Sequence, residues 1–159
     1  MYITLLTHTT ELNKTSNTGQ LVLQQLAQQQ SVVCERVIWQ RKQPDANLLK
    51  RIDSMPSALL YPAPCERSSL SLNEALPKHI ILLDATWQQA RKMYNHSTYL
   101  HGLGHIELTP QHISQYRLRR NQRDYGLCTS ESVAELLRLD HKPTLAAQLD
   151  AALVLKQAQ

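Results

Sequence analysis

Five residues, His79-Ile80-Ile81-Leu82-Leu83, constrain the fold more than any others in the chain. The run lacks the polar–apolar alternation of a strand with one wet face, so it predicts a strand covered on both sides. It leads straight into Asp84-Ala85-Thr86-Trp87 and a helical pattern reaching Asn95. A doubly covered strand that feeds a helix belongs in a mostly parallel α/β sheet with helices on both faces.

The rest of the chain repeats that alternation. Tyr2 to Thr7 reads as a short buried strand, followed by a polar stretch that breaks at Asn17-Thr18-Gly19. A helix carrying Leu21, Leu23 and Leu26 comes next, then a strand within Val32 to Trp39. Asp45 is placed to cap a short helix holding Leu48, Leu49 and Ile52. Ala58 to Tyr61 is a third strand, halted by Pro62 and Pro64, and Cys65 to Lys78 reads mostly as loop. Strands are expected around Ile106 and Leu108 and over Gln115 to Arg119. Thr129 or Ser130 caps a helix with Glu131 in its favourable first turn. Pro143 opens a last helix whose stripe of Leu145, Leu149, Ala152, Leu153 and Lys156 packs on the body.

No repeat or linker divides the 159 residues, so one compact domain over the whole chain is expected. With no Phe, the core must be built from Leu, Ile, Val and Ala, helped by Tyr and Trp. The net charge of +4 permits a polyanionic partner without requiring one. The three cysteines, Cys34, Cys65 and Cys128, lack the spacing of a zinc or redox motif and read as reduced thiols. His101 and His105 sit near one another without a third ligand, so they read as structural or solvent-facing, and no metal is expected. The amino-terminal stretch has no secretory leader, and no run approaches the roughly 18 apolar residues of a membrane span. The expected location is the cytoplasm.

In an open parallel sheet, ligands bind beyond the carboxyl ends of the strands. Four segments are therefore candidates, each with a plain structural reading beside the functional one. Asp84, Thr86 and Trp87 stand at the exit of the strongest strand; Asp84 could face a ligand or merely cap the next helix, and Trp87 could be a core wedge. Tyr116-Arg117-Leu118-Arg119-Arg120-Asn121-Gln122-Arg123 holds four arginines in seven residues. Planar guanidinium forks clamp phosphates and carboxylates, and flanking tyrosines can stack on unpaired bases. The plain alternative is a solvated edge whose charges discourage strand pairing. Thr129 and Glu131 open a helix, whose amino end suits an anion or is simply capped. His8, Glu11, Lys14, Asn17, Thr18 and Gly19 form a polar loop after the first strand.

Taken together, these segments resemble the DTW-domain family, named for an Asp-x-Thr-Trp signature met here as Asp84, Thr86 and Trp87. The resemblance includes His8-x-x-Glu11, Ser16-Asn17-Thr18-Gly19, Leu59-Leu60-Tyr61-Pro62, Tyr116-Arg117-Leu118-Arg119-Arg120 and Thr129-x-Glu131-x-Val133-Ala134, and so spans most of the chain. It implies a SPOUT-like fold with a knotted C-terminal half, although unknotted topology is the physical default. It also implies transfer of the 3-amino-3-carboxypropyl group of S-adenosylmethionine to N3 of a uridine in tRNA, releasing 5′-methylthioadenosine. A homodimer follows by the same analogy. Two departures from the family pattern are expected: no N-terminal cysteine-rich, zinc-binding segment, and Ala85 where Gly is common.

On that resemblance the roles would be as follows. Asp84 is the base or orients the uridine edge, with Thr86 and Trp87 shaping the catalytic pocket. Leu60, Tyr61, Pro62, Asp84, Arg119, Thr129 and Glu131 bind the donor, Arg119 through its carboxylate or a nucleotide phosphate, and Glu131 through its amino group. Lys14, Asn17, Arg117, Arg120 and Arg123 contact RNA. The competing readings are a methyltransferase using the same donor, a catalytically silent RNA-binding module, and an enzyme of small molecules whose basic face is incidental.

Overall fold

The computed structural model describes residues 1–64, 75–108, 114–116 and 126–158. The described strands, β1 (Tyr2–Thr7), β2 (Val33–Ile38), β3 (Ser57–Leu60), β4 (His79–Asp84) and β5 (Gly104–Ile106), form one sheet. Its order is β2-β1-β4-β3-β5, and each neighbouring pair is parallel. The helices are α1 (Gly19–Leu26), α2 (Ala46–Ser54), α3 (Trp87–Asn95), α4 (Thr129–Leu139) and α5 (Pro143–Gln157).

The pleat of β4 explains its uninterrupted apolar run. Ile80 and Leu82 point into one core, with Ile3 and Leu5 of β1, Val22 and Leu26 of α1, Val133, Leu136 and Leu137 of α4, and Leu149 of α5. Ile81 points into the opposite core, with Leu6, Leu59, Leu48 of α2, Met93 of α3 and Leu100. Because side chains alternate faces, a strand wet on neither side needs apolar residues at both parities. The single α/β domain with helices on both faces is thus the architecture that the sequence predicts.

The order of strands locates the switch point of the sheet. From β1 the chain proceeds to β2 on one side, whereas from β4 it proceeds to β5 beyond β3 on the other. The carboxyl ends of β1 and β4, paired at Thr7 and Asp84, therefore flank the switch point at which crevices open in such sheets.

Two expected elements are revised. The strand near Ile106 and Leu108 is Gly104–Ile106 and ends before Leu108; it includes His105, which is buried. His105 Nδ1 lies 3.0 Å from the Tyr61 carbonyl, so this histidine is structural. Gln115 and Tyr116 are not in a strand, because side chains take their backbone N–H groups: Glu131 accepts from Gln115, and Ser114 Oγ accepts from Tyr116. The remainder of that expected strand, and much of the Cys65 to Lys78 loop, lie outside the described residues.

Candidate active site

Asp84, the last residue of β4, is fully buried and joins three separate parts of the chain. Its Oδ2 accepts from Thr7 Oγ1 (3.1 Å) at the end of β1 and from Asn17 Nδ2 (3.0 Å) in the following loop. Its Oδ1 accepts from Thr129 Oγ1 (2.7 Å) in the first turn of α4. The guanidinium of Arg36, on β2, stands 4.0 Å away and donates to Asn17 Oδ1 and Gln20 Oε1. A lone carboxylate would be too costly to bury in this place; convergent donors and a nearby cation make it tolerable. Gly19 is part of the arrangement, since a Cβ there would lie 2.6 Å from Asp84 Oδ2.

Beside Asp84 a cleft of about 290 Å³ opens over the carboxyl ends of β3, β4 and β5. Its floor and walls include Leu60, Tyr61 and Pro62 after β3, Ile106, Glu107 and Leu108 after β5, and Thr129 and Ser132 of α4. Trp87, the first residue of α3, lines it while remaining 39% exposed. Asp84 does not line the cleft; Thr129, 8% exposed, stands between the carboxylate and the open space. Because the Thr129 hydroxyl donates to Asp84, its oxygen lone pairs remain to accept a proton donor from the cleft.

The ends of the helices are fixed by local chemistry. Thr86 Oγ1 accepts from Gln89 N, and Gln89 Oε1 accepts from Thr86 N, so the cap of α3 is Thr86 rather than Asp84. Gln89 Nε2 also donates to Thr10 Oγ1 (2.7 Å), tying the loop after β1 to α3. Residue Cys128 occupies the N-cap position of α4, one residue earlier than expected. Glu131 Oε2 accepts from Cys128 N and Ser114 Oγ, and its Oε1 accepts from Gln115 N. The Tyr116 hydroxyl donates to the Ser16 carbonyl, closing the segment after β5 onto the loop after β1. Burial pushes the Cys34 and Cys128 thiols up to about 12, so neither is a thiolate near neutral pH.

The family model described as DTW domain matches residues 1–158. The chain belongs to the DTW-domain family. A relative from Drosophila melanogaster, tRNA-uridine aminocarboxypropyltransferase 2, is 31% identical over 152 residues, covering 92% of this chain. The aligned region is 59% of that relative's length. No solved structure matches the chain.

The DTW signature thus divides into three local tasks. Asp84 is the buried junction, Thr86 caps α3, and Trp87 is presented at the rim of the cleft instead of acting as a core wedge. Of the residues singled out in the sequence, Asp84, Asn17 and Thr129 meet in one hydrogen-bonded cluster, and Leu60, Tyr61, Pro62, Trp87 and Thr129 share one cleft. Asn17, expected to contact RNA, is buried with both ends of its amide engaged inside the protein. Glu131, expected to hold the donor's amino group, has both oxygens bound to backbone or Ser114. Lys14 pairs with Glu11 Oε1 at 2.6 Å. Arg117, Arg119, Arg120 and Arg123 lie outside the described residues. The sequence reading missed Thr7, Arg36, Glu107 and Ser132. Thr7, the last residue of β1, and Arg36, beside Glu35 in β2, carried a faint signal as polar residues of strands; Glu107 and Ser132 carried none.

Proposed function

We propose that this domain transfers the 3-amino-3-carboxypropyl group of S-adenosylmethionine to N3 of a uridine in tRNA, releasing 5′-methylthioadenosine. The supporting observation is the contact between Thr129 and Asp84, which sets a hydroxyl oxygen at the cleft wall with a buried carboxylate directly behind it. The named relative supplies the reaction class. The residues present fit the donor: Leu60, Ile106 and Leu108 offer apolar surface for an adenine, and Tyr61 offers a ring face. The volume lies near the lower end of the roughly 300–1,000 Å³ usual for small-molecule sites.

Bound donor supplies an electrophilic carbon attached to a positively charged sulfur. The remaining work falls to the chain's own groups. Thr129 Oγ1 accepts the N3 proton as it passes its own to Asp84. The new N–C bond forms with the nitrogen's electron pair, and the C–S pair departs with sulfur. Asp84 acts through Thr129 and is a positioning residue and proton reservoir, while Arg36 offsets its charge. Trp87 stacks on the uridine at the rim, as aromatic rings do with unstacked bases. Most of the acceleration comes from holding the two reactants in line, worth about 7–11 kcal/mol where alignment is good. Arg117, Arg120 and Arg123, with Lys14, track the RNA backbone, and Arg119 takes the donor's carboxylate. The SPOUT-like knot and the homodimer belong to the same reading, as does work in the cytoplasm.

Incubation with bulk tRNA and carboxyl-labelled S-adenosylmethionine tests this. Label should enter RNA with equimolar methylthioadenosine. Replacing Thr129 by Ala should lower turnover by about two powers of ten, the ordinary scale of proton-transfer assistance, whereas Thr129→Ser should retain most of it. Methyl label entering RNA without carboxyl label would instead identify a methyltransferase.

A further inference from the structure

We infer that Glu107 is the residue that recognises the cationic amino group of the donor and makes the cleft prefer donor to spent product. The inference rests on the reading given under Proposed function. Among the described residues lining the cleft, Glu107 is the charged one; the others are apolar, aromatic or hydroxyl-bearing. A carboxylate at the rim of a largely apolar cleft, in a chain of net charge +4, is poorly placed for the RNA backbone and well placed for a cation. Glu131, the carboxylate that the sequence suggested for this task, does not line the cleft. Glu107 follows β5 directly, so the pairing of β5 with β3 sets its position in the cleft lining, to which Trp87 of α3 and Thr129 of α4 also contribute.

The donor carries two positive groups, the sulfonium and the α-ammonium, and the chemistry distinguishes them. The sulfonium charge disappears as the C–S bond breaks. A carboxylate placed against it would stabilise the bound donor more than the transition state and would slow the reaction. The ammonium keeps its charge throughout the transfer and moves to the RNA with the group. A carboxylate placed against the ammonium holds the reacting carbon in line without opposing the step. After transfer, methylthioadenosine has neither cation, so Glu107 no longer retains it and release is favoured.

The test is equilibrium binding of three ligands to wild type and to Glu107→Gln. S-adenosylmethionine carries both cations, S-adenosylhomocysteine the ammonium alone, and methylthioadenosine neither. Glu107→Gln should weaken the first two by about tenfold each, equivalent to about 1.4 kcal/mol, and leave methylthioadenosine unchanged. Turnover should follow as a rise in KM with kcat altered less than about twofold. Equal weakening of all three ligands would show a merely structural role and overturn the inference. Weakening of S-adenosylmethionine alone would assign Glu107 to the sulfonium and overturn it as well, and so would unchanged binding of all three. If wild type binds none of them, the proposed function fails, which is a separate result.

Discussion

A methyl group at position 19 would have to share space with Asp84 Oδ2 at 2.6 Å and Cγ at 2.9 Å. Neither atom can yield easily, because Thr7, Asn17 and Thr129 all donate to that carboxylate. Gly19 is therefore required by close approach, not by backbone conformation. Gly19→Ala should lower unfolding free energy by about 2 kcal/mol, since the clash outweighs the gain in helix propensity. Urea denaturation measures it, and a loss under about 0.5 kcal/mol would mean the carboxylate is less firmly held than its contacts indicate. The same convergence means that Asp84→Asn changes folding as well as chemistry. An amide nitrogen there would face a donor and leave Arg36 without its counter-charge, so Thr129 is the cleaner position at which to probe catalysis.

The amino end of the sheet, opposite the cleft, is held by a second polar network linking β1, β2, β3, β4 and α2. His79, buried at the start of β4, has Thr4 Oγ1 2.9 Å from Nε2 and Ser57 Oγ 2.8 Å from Nδ1. Glu35 binds Tyr2, Thr4 and Arg51, and Arg51 lies over the Tyr2 ring. Burial, then the nearby Arg51 charge, push the imidazole down to about 4. Above the unfolded value of about 6.5 both states are neutral and the full stability is present. As pH falls from there toward 4, the unfolded chain takes up a proton that the folded one refuses, so stability falls. His79 should contribute a loss of about 2 kcal/mol between pH 7 and pH 5, measurable as a falling Tm. His79→Gln should flatten that slope; an unchanged slope would place its cause elsewhere.

For the molecule as a whole, tRNA binding should depend steeply on salt, because arginine contacts to phosphate release counterions. Replacing Arg117 and Arg120 by Ala should reduce the slope of log K against log salt by about one each, read by filter binding across a salt series. An unchanged slope would exclude both from the phosphate path. The fold was legible from short-range pattern: the apolar parity of β4, the Asp45 cap and Pro143 of α5 each report a local rule that the tertiary structure keeps. The expected strand through Gln115 was not, because its N–H partners come from Glu131 and Ser114, and no pattern along the strand announces a side chain arriving from another element. Likewise the sequence marked Asp84 and Thr129 as separate strand-exit and helix-entry residues, but only packing of α4 against the switch point brought them to 2.7 Å. It also decided that Asn17 turns inward, that Arg36 supplies the counter-charge, and that Glu107 rather than Glu131 lines the cleft. Periodicity and capping are properties of neighbours along the chain, and one sequence contains them. A site assembled at the ends of parallel strands joins residues tens of positions apart, and their meeting is fixed by strand order and helix packing.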